Sequence, residues 1–137
     1  MATVYVHRTP ECVGHDFLIR LKSILPSLIA KWLTDEGGRH HVQARDIKIR
    51  VFDNGLYDVY RHNLEIKIFA NTYPWRRDNL TARAAAIRKE IFSLLPTPGR
   101  GKPFPDDCSV MIHLGVVGYS DSERDVRLME NSSVSQT

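Results

Sequence analysis

The sequence predicts an α+β fold built from two tandem β-α-β units, with a four-stranded mixed sheet and both helices on one face of it. Three observations carry that expectation. Four short segments alternate apolar and polar residues, two longer segments carry the three-and-four spacing of amphipathic helices, and the second half repeats the β-α-β order of the first. At 137 residues and 42% hydrophobic content, the chain is sized for one domain around one core.

The first strand runs through Thr3, Val4, Tyr5, Val6 and His7, with Val4 and Val6 on the core side, and Thr9-Pro10 ends it. A helix follows from about Asp16 to Asp35, carrying Phe17, Leu18, Leu21, Ile24, Leu25, Leu28, Ile29 and Trp32 as one continuous stripe. Asp16 is the expected N-cap and Gly37-Gly38 the expected stop. Pro26 removes a backbone donor inside the helix, so a kink or a restart is expected there.

The second strand, Asp46 to Phe52, sets Ile47, Ile49 and Val51 against Lys48, Arg50 and Phe52. Asp53-Asn54-Gly55 is a turn signal. Leu56 to His62 reads either as a wide hairpin connection or as an extension of the flanking strands. The third strand, Asn63 to Phe69, alternates Leu64, Ile66 and Ile68 with Glu65, Lys67 and Phe69. A polar loop from Asn71 to Asp78 leads to a second helix, about Asn79 to Leu95, with Leu80, Ala84, Ile87, Ile91 and Leu94 as its apolar stripe. The last strand is Cys108 to Leu114.

Residues 1–120 therefore read as one domain, with a proline- and glycine-rich insertion at 96–107, and 121–137 has the charged and then Ser-rich composition of a mobile tail. No apolar run approaches the roughly 20 residues of a membrane span, and the amino terminus lacks the pattern of a secretory signal, so the expected location is the cytoplasm. Cys12 and Cys108 lie far apart without metal-ligand spacing and read as reduced thiols. Adjacent His40 and His41 have no spaced carboxylate or cysteine to complete a tetrahedral site, so no metal is expected. Nineteen basic against sixteen acidic residues suit an anionic partner without choosing between a small acid and a nucleic acid.

The order and spacing of these elements resemble the tautomerase superfamily, the family of 4-oxalocrotonate tautomerase and macrophage migration inhibitory factor. The resemblance covers roughly Ala2 to Tyr119. Asp46 to Val51 resembles the family's second strand, and Leu64 to Ala70, a loop with arginines and a helix containing Arg83 resemble its third strand and second helix. The resemblance implies a sheet in which the two strands of each unit are direct neighbours, a homotrimer, and proton transfer on a small keto or enol acid without a cofactor. In the family the base is an amino-terminal proline exposed by methionine removal. Here that position holds Ala2, which keeps an amine and lacks the rigid ring that aims its lone pair.

The same resemblance implies carboxylate-binding groups at Arg39, between first helix and second strand, at His113 on the last strand, and at Arg76 and Arg77 after the third strand. Each has an ordinary alternative. Ala2 is a common second residue, Arg39, Arg76 and Arg77 suit solvated loops, and His113 suits an outward strand position. Arg83, Arg88 and Lys89 read as the solvated face of the second helix. The competing class is a non-catalytic binding protein for a small anion or RNA, since a ferredoxin-like sheet shares this element order. Glu65 to Phe69 lacks the glycine-aromatic pattern of an RNA-recognition strand, which makes nucleic acid the less favoured partner.

Overall fold

The computed structural model describes residues 2–34, 42–71, 79–95 and 107–115. It contains β1 (Ala2–Arg8), α1 (His15–Leu33), a 3-10 turn (Ala44–Asp46), β2 (Ile47–Asp53), β3 (Leu64–Asn71), α2 (Leu80–Leu94) and β4 (Cys108–Gly115). The four strands form one mixed sheet in the order β2-β1-β3-β4. β1 is parallel to β2 and antiparallel to β3, and β3 is parallel to β4, so each β-α-β unit keeps its own strands adjacent. This is the predicted architecture, and it excludes the interleaved ferredoxin-like sheet.

Alternation decides which face of the sheet is covered. Val4, Val6, Leu64, Ile66 and Ile68 point to one side and are wholly buried with Leu21, Leu25, Ile29, Ile87 and Ile91 of the helices in a single core. On the edge strands, which are flanked on one side alone, the inward Ile47 and Cys108 are buried while Ile49, Val51, Val110 and Ile112 are only partly so. α1 packs beside β2, α2 packs on β4, and the helices touch each other.

Several local expectations are corrected. The N-cap of α1 is Gly14, whose carbonyl accepts from Leu18 N–H at 3.1 Å, and Asp16 sits in the first turn, where its charge favours the helix dipole. The helix continues through Pro26 without a restart. Loss of one ladder bond and a ring clash cost on the order of 3 kcal/mol, which burial of Leu21, Leu25, Leu28 and Ile29 around it outweighs at roughly 1.5–3 kcal/mol per side chain. α1 ends at Leu33, not Asp35, because Thr34 turns extended and both its N–H and its Oγ1 donate to Ala30 O, at 3.0 and 2.8 Å. The Gly37-Gly38 stop lies outside the described residues. At the end of α2 the buried leucine is Leu95, which caps the helix, rather than Leu94, which is 60% exposed.

The connection from Asn54 to Asn63 is neither a hairpin nor a strand extension. β1 lies between β2 and β3, so this segment crosses the end of β1, a span of two strand spacings or roughly 9.6 Å. Asn54 N–H donates to Arg8 O at 2.7 Å on one side and Thr9 N–H to Asn63 O at 2.9 Å on the other. Arg8 Nε also donates to Asp53 Oδ1 at 2.7 Å, pinning the ends of β1 and β2. The proline-rich insertion, apart from Asp107, and the C-terminal tail lie outside the described residues.

Candidate functional site

The end of the sheet where β1 begins gathers most of the segments singled out in the sequence. Register places Ile47, Ala2, Ala70 and Leu114 in one row across all four strands at that end, on the helix side. The chain leaves α1 at Thr34 and returns at Val42 to enter β2 here, and leaves β3 at Asn71 to enter α2 at Asn79. Thr34 Oγ1 accepts from Val42 N–H at 3.1 Å, which ties together the two flanks of the segment carrying Arg39. Arg39, Arg76 and Arg77 themselves lie outside the described residues.

Ala2 is the first residue of a central strand, and the residue as a whole is buried in the core, at 2% exposure. His113 is placed differently. It is exposed on the opposite face of the sheet, in the row Lys48, Thr3, Phe69 and His113, with its ring 5.4 Å from that of Phe69. One strand, β3, lies between it and β1, so two strand spacings, about 10 Å, separate them. Within one subunit, therefore, the sheet does not bring His113 to Ala2.

The open face has a chemistry of its own. His7 stacks on Phe52 at 5.2 Å, Phe52 meets Tyr5 at 5.9 Å, Tyr5 meets Phe69 at 5.5 Å, and Phe69 meets His113, so five rings cross all four strands. Lys48, Arg50 and Lys67 interleave with them, and Glu65 carries the opposite charge on the same face. Alternation in β1, β2 and β3 already assigned these residues to a shared face, but their continuity required the strand order.

Arg83 departs from its expected solvated position. It is half-buried against α1, where Nη1 donates to Trp32 O, while Arg88 and Lys89 are exposed as expected. Helical periodicity could not single it out, since it lies on the flank between the apolar stripe and the solvent face. Cys108 is buried, and burial pushes its thiol from 9.0 up to about 12, with nearby Arg88 opposing and Asp107 adding to the rise. That thiol is not a nucleophile at neutral pH. Among the described residues no three His, Cys, Asp or Glu side chains gather as metal ligands, and no helix is long and apolar enough to cross a membrane.

No protein-family model matches the sequence, and no curated protein sequence matches it. Solved structures do match in fold. A fused 4-OT wild-type symmetric trimer superposes with a TM-score of 0.52 over 81% of this chain and 83% of its own, at 12% identity. N1, a member of the cis-3-chloroacrylic acid dehalogenase family, superposes with a TM-score of 0.53 over 93% of this chain and 90% of its own, at 9% identity. At such identities the likeness is one of fold alone: this chain shares with these structures the two-helix, four-stranded architecture described above.

Proposed function

We propose that this protein is a weak, cofactor-independent tautomerase of small α-keto acids, acting as a homotrimer, with the Ala2 amine as the group that moves the proton. The observation that carries the reading is the placement of Ala2. It opens a central strand at the sheet end where the segments bearing Arg39, Arg76 and Arg77 leave and return. An α-amino group titrates near pH ~7.7–8.0, so a neutral fraction is present at physiological pH to take a proton from the carbon beside a carbonyl and return one at oxygen. A guanidinium from either loop would hold the substrate carboxylate and stabilise the developing enolate.

In this reading His113 acts only across a subunit boundary, because the sheet separates it from its own Ala2. Self-association also covers the ring-lined open face, which includes Phe52 at 44% exposure. The neighbour that forms a symmetric trimer supports the oligomer. Phenylpyruvate ketonisation tests the chemistry. Chain with Met1 removed, as verified by mass, should accelerate it, and chain carrying an extra amino-terminal residue should not; equal background rates would remove the enzyme reading.

A second reading has one observation in its favour. Five rings interleaved with Lys48, Arg50 and Lys67 make a stacking and cationic surface of the sort single-stranded nucleic acids use. A monomeric mass together with RNA binding that weakens steeply with salt would favour it over the enzyme.

A further inference from the structure

A cavity of about 460 Å³ opens between the helices, walled by Lys31, Trp32 and Thr34 from the end of α1 and by Ala82, Arg83 and Ala86 from the first two turns of α2. No strand residue lines it, so it is a place apart from Ala2. Its volume lies in the range of small-molecule sites and exceeds what an inorganic ion fills.

The charges that the described residues bring to this wall have one sign. Among the described residues of its wall the two ionisable side chains, Lys31 and Arg83, are cations, and none is a carboxylate. Glu90, outside the wall, accepts from Lys31 Nζ at 2.8 Å and holds the lysine at the rim. Arg83 is anchored in the cleft by its hydrogen bond to Trp32 O.

The backbone adds to this field. Asn79, which precedes α2, adopts a left-handed conformation with φ 63°, makes no side-chain cap hydrogen bond, and is followed by a first turn without any acidic residue. The positive end of a 15-residue helix therefore opens beside the cavity, with no carboxylate in its first turn. Trp32 Nε1 is buried and has no hydrogen-bond partner among the described residues, and an indole N–H can be answered only by an acceptor.

The remaining walls are apolar. The methyl groups of Ala82 and Ala86 and the Trp32 ring offer a surface for a small hydrocarbon body, which an inorganic anion would leave unused. We propose that this cavity binds a small organic carboxylate, with its charged end toward Arg83 and the start of α2 and its apolar body against Ala82, Ala86 and Trp32. The site makes no use of the Ala2 amine and stands whether or not that amine is active.

Nuclear magnetic resonance on the full ¹⁵N-labelled chain tests this directly, with the Trp32 indole signal identified by its loss in Trp32→Phe. Titration with phenylacetate should move that signal saturably, and neutral phenylacetamide of the same shape should not. Arg83→Gln should weaken binding about tenfold or more, the loss of one charge-assisted hydrogen bond, while Arg83→Lys retains most of it. Because Arg83 also ties the helices together, Lys31→Gln provides a second variant: its side chain is 63% exposed and its ion pair to Glu90 is a surface one that contributes little to the fold, and the change should weaken binding severalfold. The proposal is overturned by no saturable shift at millimolar phenylacetate, by equal shifts with the amide, by affinity unchanged in both Lys31→Gln and Arg83→Gln, or by a site filled by inorganic phosphate and not by phenylacetate.

Discussion

Tyr5 and Phe69 meet edge to face on the open side of the sheet, with ring centroids 5.5 Å apart and planes at 77°, although neither stands directly opposite the other. Tyr5 pairs with Lys67 and Phe69 with Thr3, so the contact runs diagonally between β1 and β3. Diagonal neighbours lie about 7–8 Å apart at the backbone, a gap that two large rings can close. The pair is the centre of the ring run that the proposed trimer would bury. Light scattering at micromolar concentration should give a trimer mass for the wild type and a monomer mass for Phe69→Asp, with the circular dichroism of the variant confirming that it is folded. A wild-type monomer would refute the assembly.

Ile91 and Leu94 lie one turn apart on α2 with opposite environments. Ile91 is wholly buried and Leu94 is 60% exposed. Urea denaturation should show Ile91→Ala destabilised by about 2–5 kcal/mol, from lost burial plus the cavity left behind. Leu94→Ala should stay within about 0.5 kcal/mol. A cost at Leu94 equal to that at Ile91 would mean that α2 is rotated relative to this packing.

Cys108 supplies a pH-dependent prediction. Its thiol is raised from 9.0 to about 12, chiefly by burial, so the folded chain keeps a proton that the unfolded chain releases. Stability from this group is fully present below pH 9 and is lost as pH rises toward 12. Cys108→Ala should lose less stability than the wild type across that window in parallel denaturation curves. In the native protein at neutral pH, iodoacetamide should leave Cys108 unmodified, whereas the partly exposed Cys12 is accessible.

If the proposed tautomerase chemistry holds, replacing Ala2 by proline should raise its rate. Proline restores a secondary amine and a ring that orients it, and each tenfold gain requires only about 1.4 kcal/mol of transition-state stabilisation. The wild-type rate should rise with pH through the amine's titration near pH ~7.7–8.0. Arg39→Ala should weaken turnover through lost carboxylate binding. Identical background rates for wild type, Ala2→Pro and Arg39→Ala, with methionine removal verified by mass, would leave the chemistry without support.

The candidate site was only partly legible in the sequence. Position along the chain makes Ala2 a candidate, through the resemblance noted in the sequence, and the structure adds that it opens a central strand. Position was not enough to relate Ala2 to His113, because alternation along β4 assigns a face only after the neighbours of that strand are known. Arg83 was hidden for a related reason: a helical wheel separates apolar from polar residues, but it does not say which polar residue meets the next helix.

The sequence by itself determined the six elements and the inward face of the first three strands, because Val4, Val6, Ile47, Leu64, Ile66 and Ile68 recur with the period of the local backbone. That period is a property of consecutive residues and needs no partner. Strand order, the crossing of Asn54 to Asn63 over the end of β1, the shift from Leu94 to Leu95 and the continuous helix through Pro26 were decided by tertiary structure alone. Each depends on contacts between residues distant in sequence. There, burial of several side chains at roughly 1.5–3 kcal/mol apiece outweighs local preferences worth about 1 kcal/mol for a cap and about 3 for a proline.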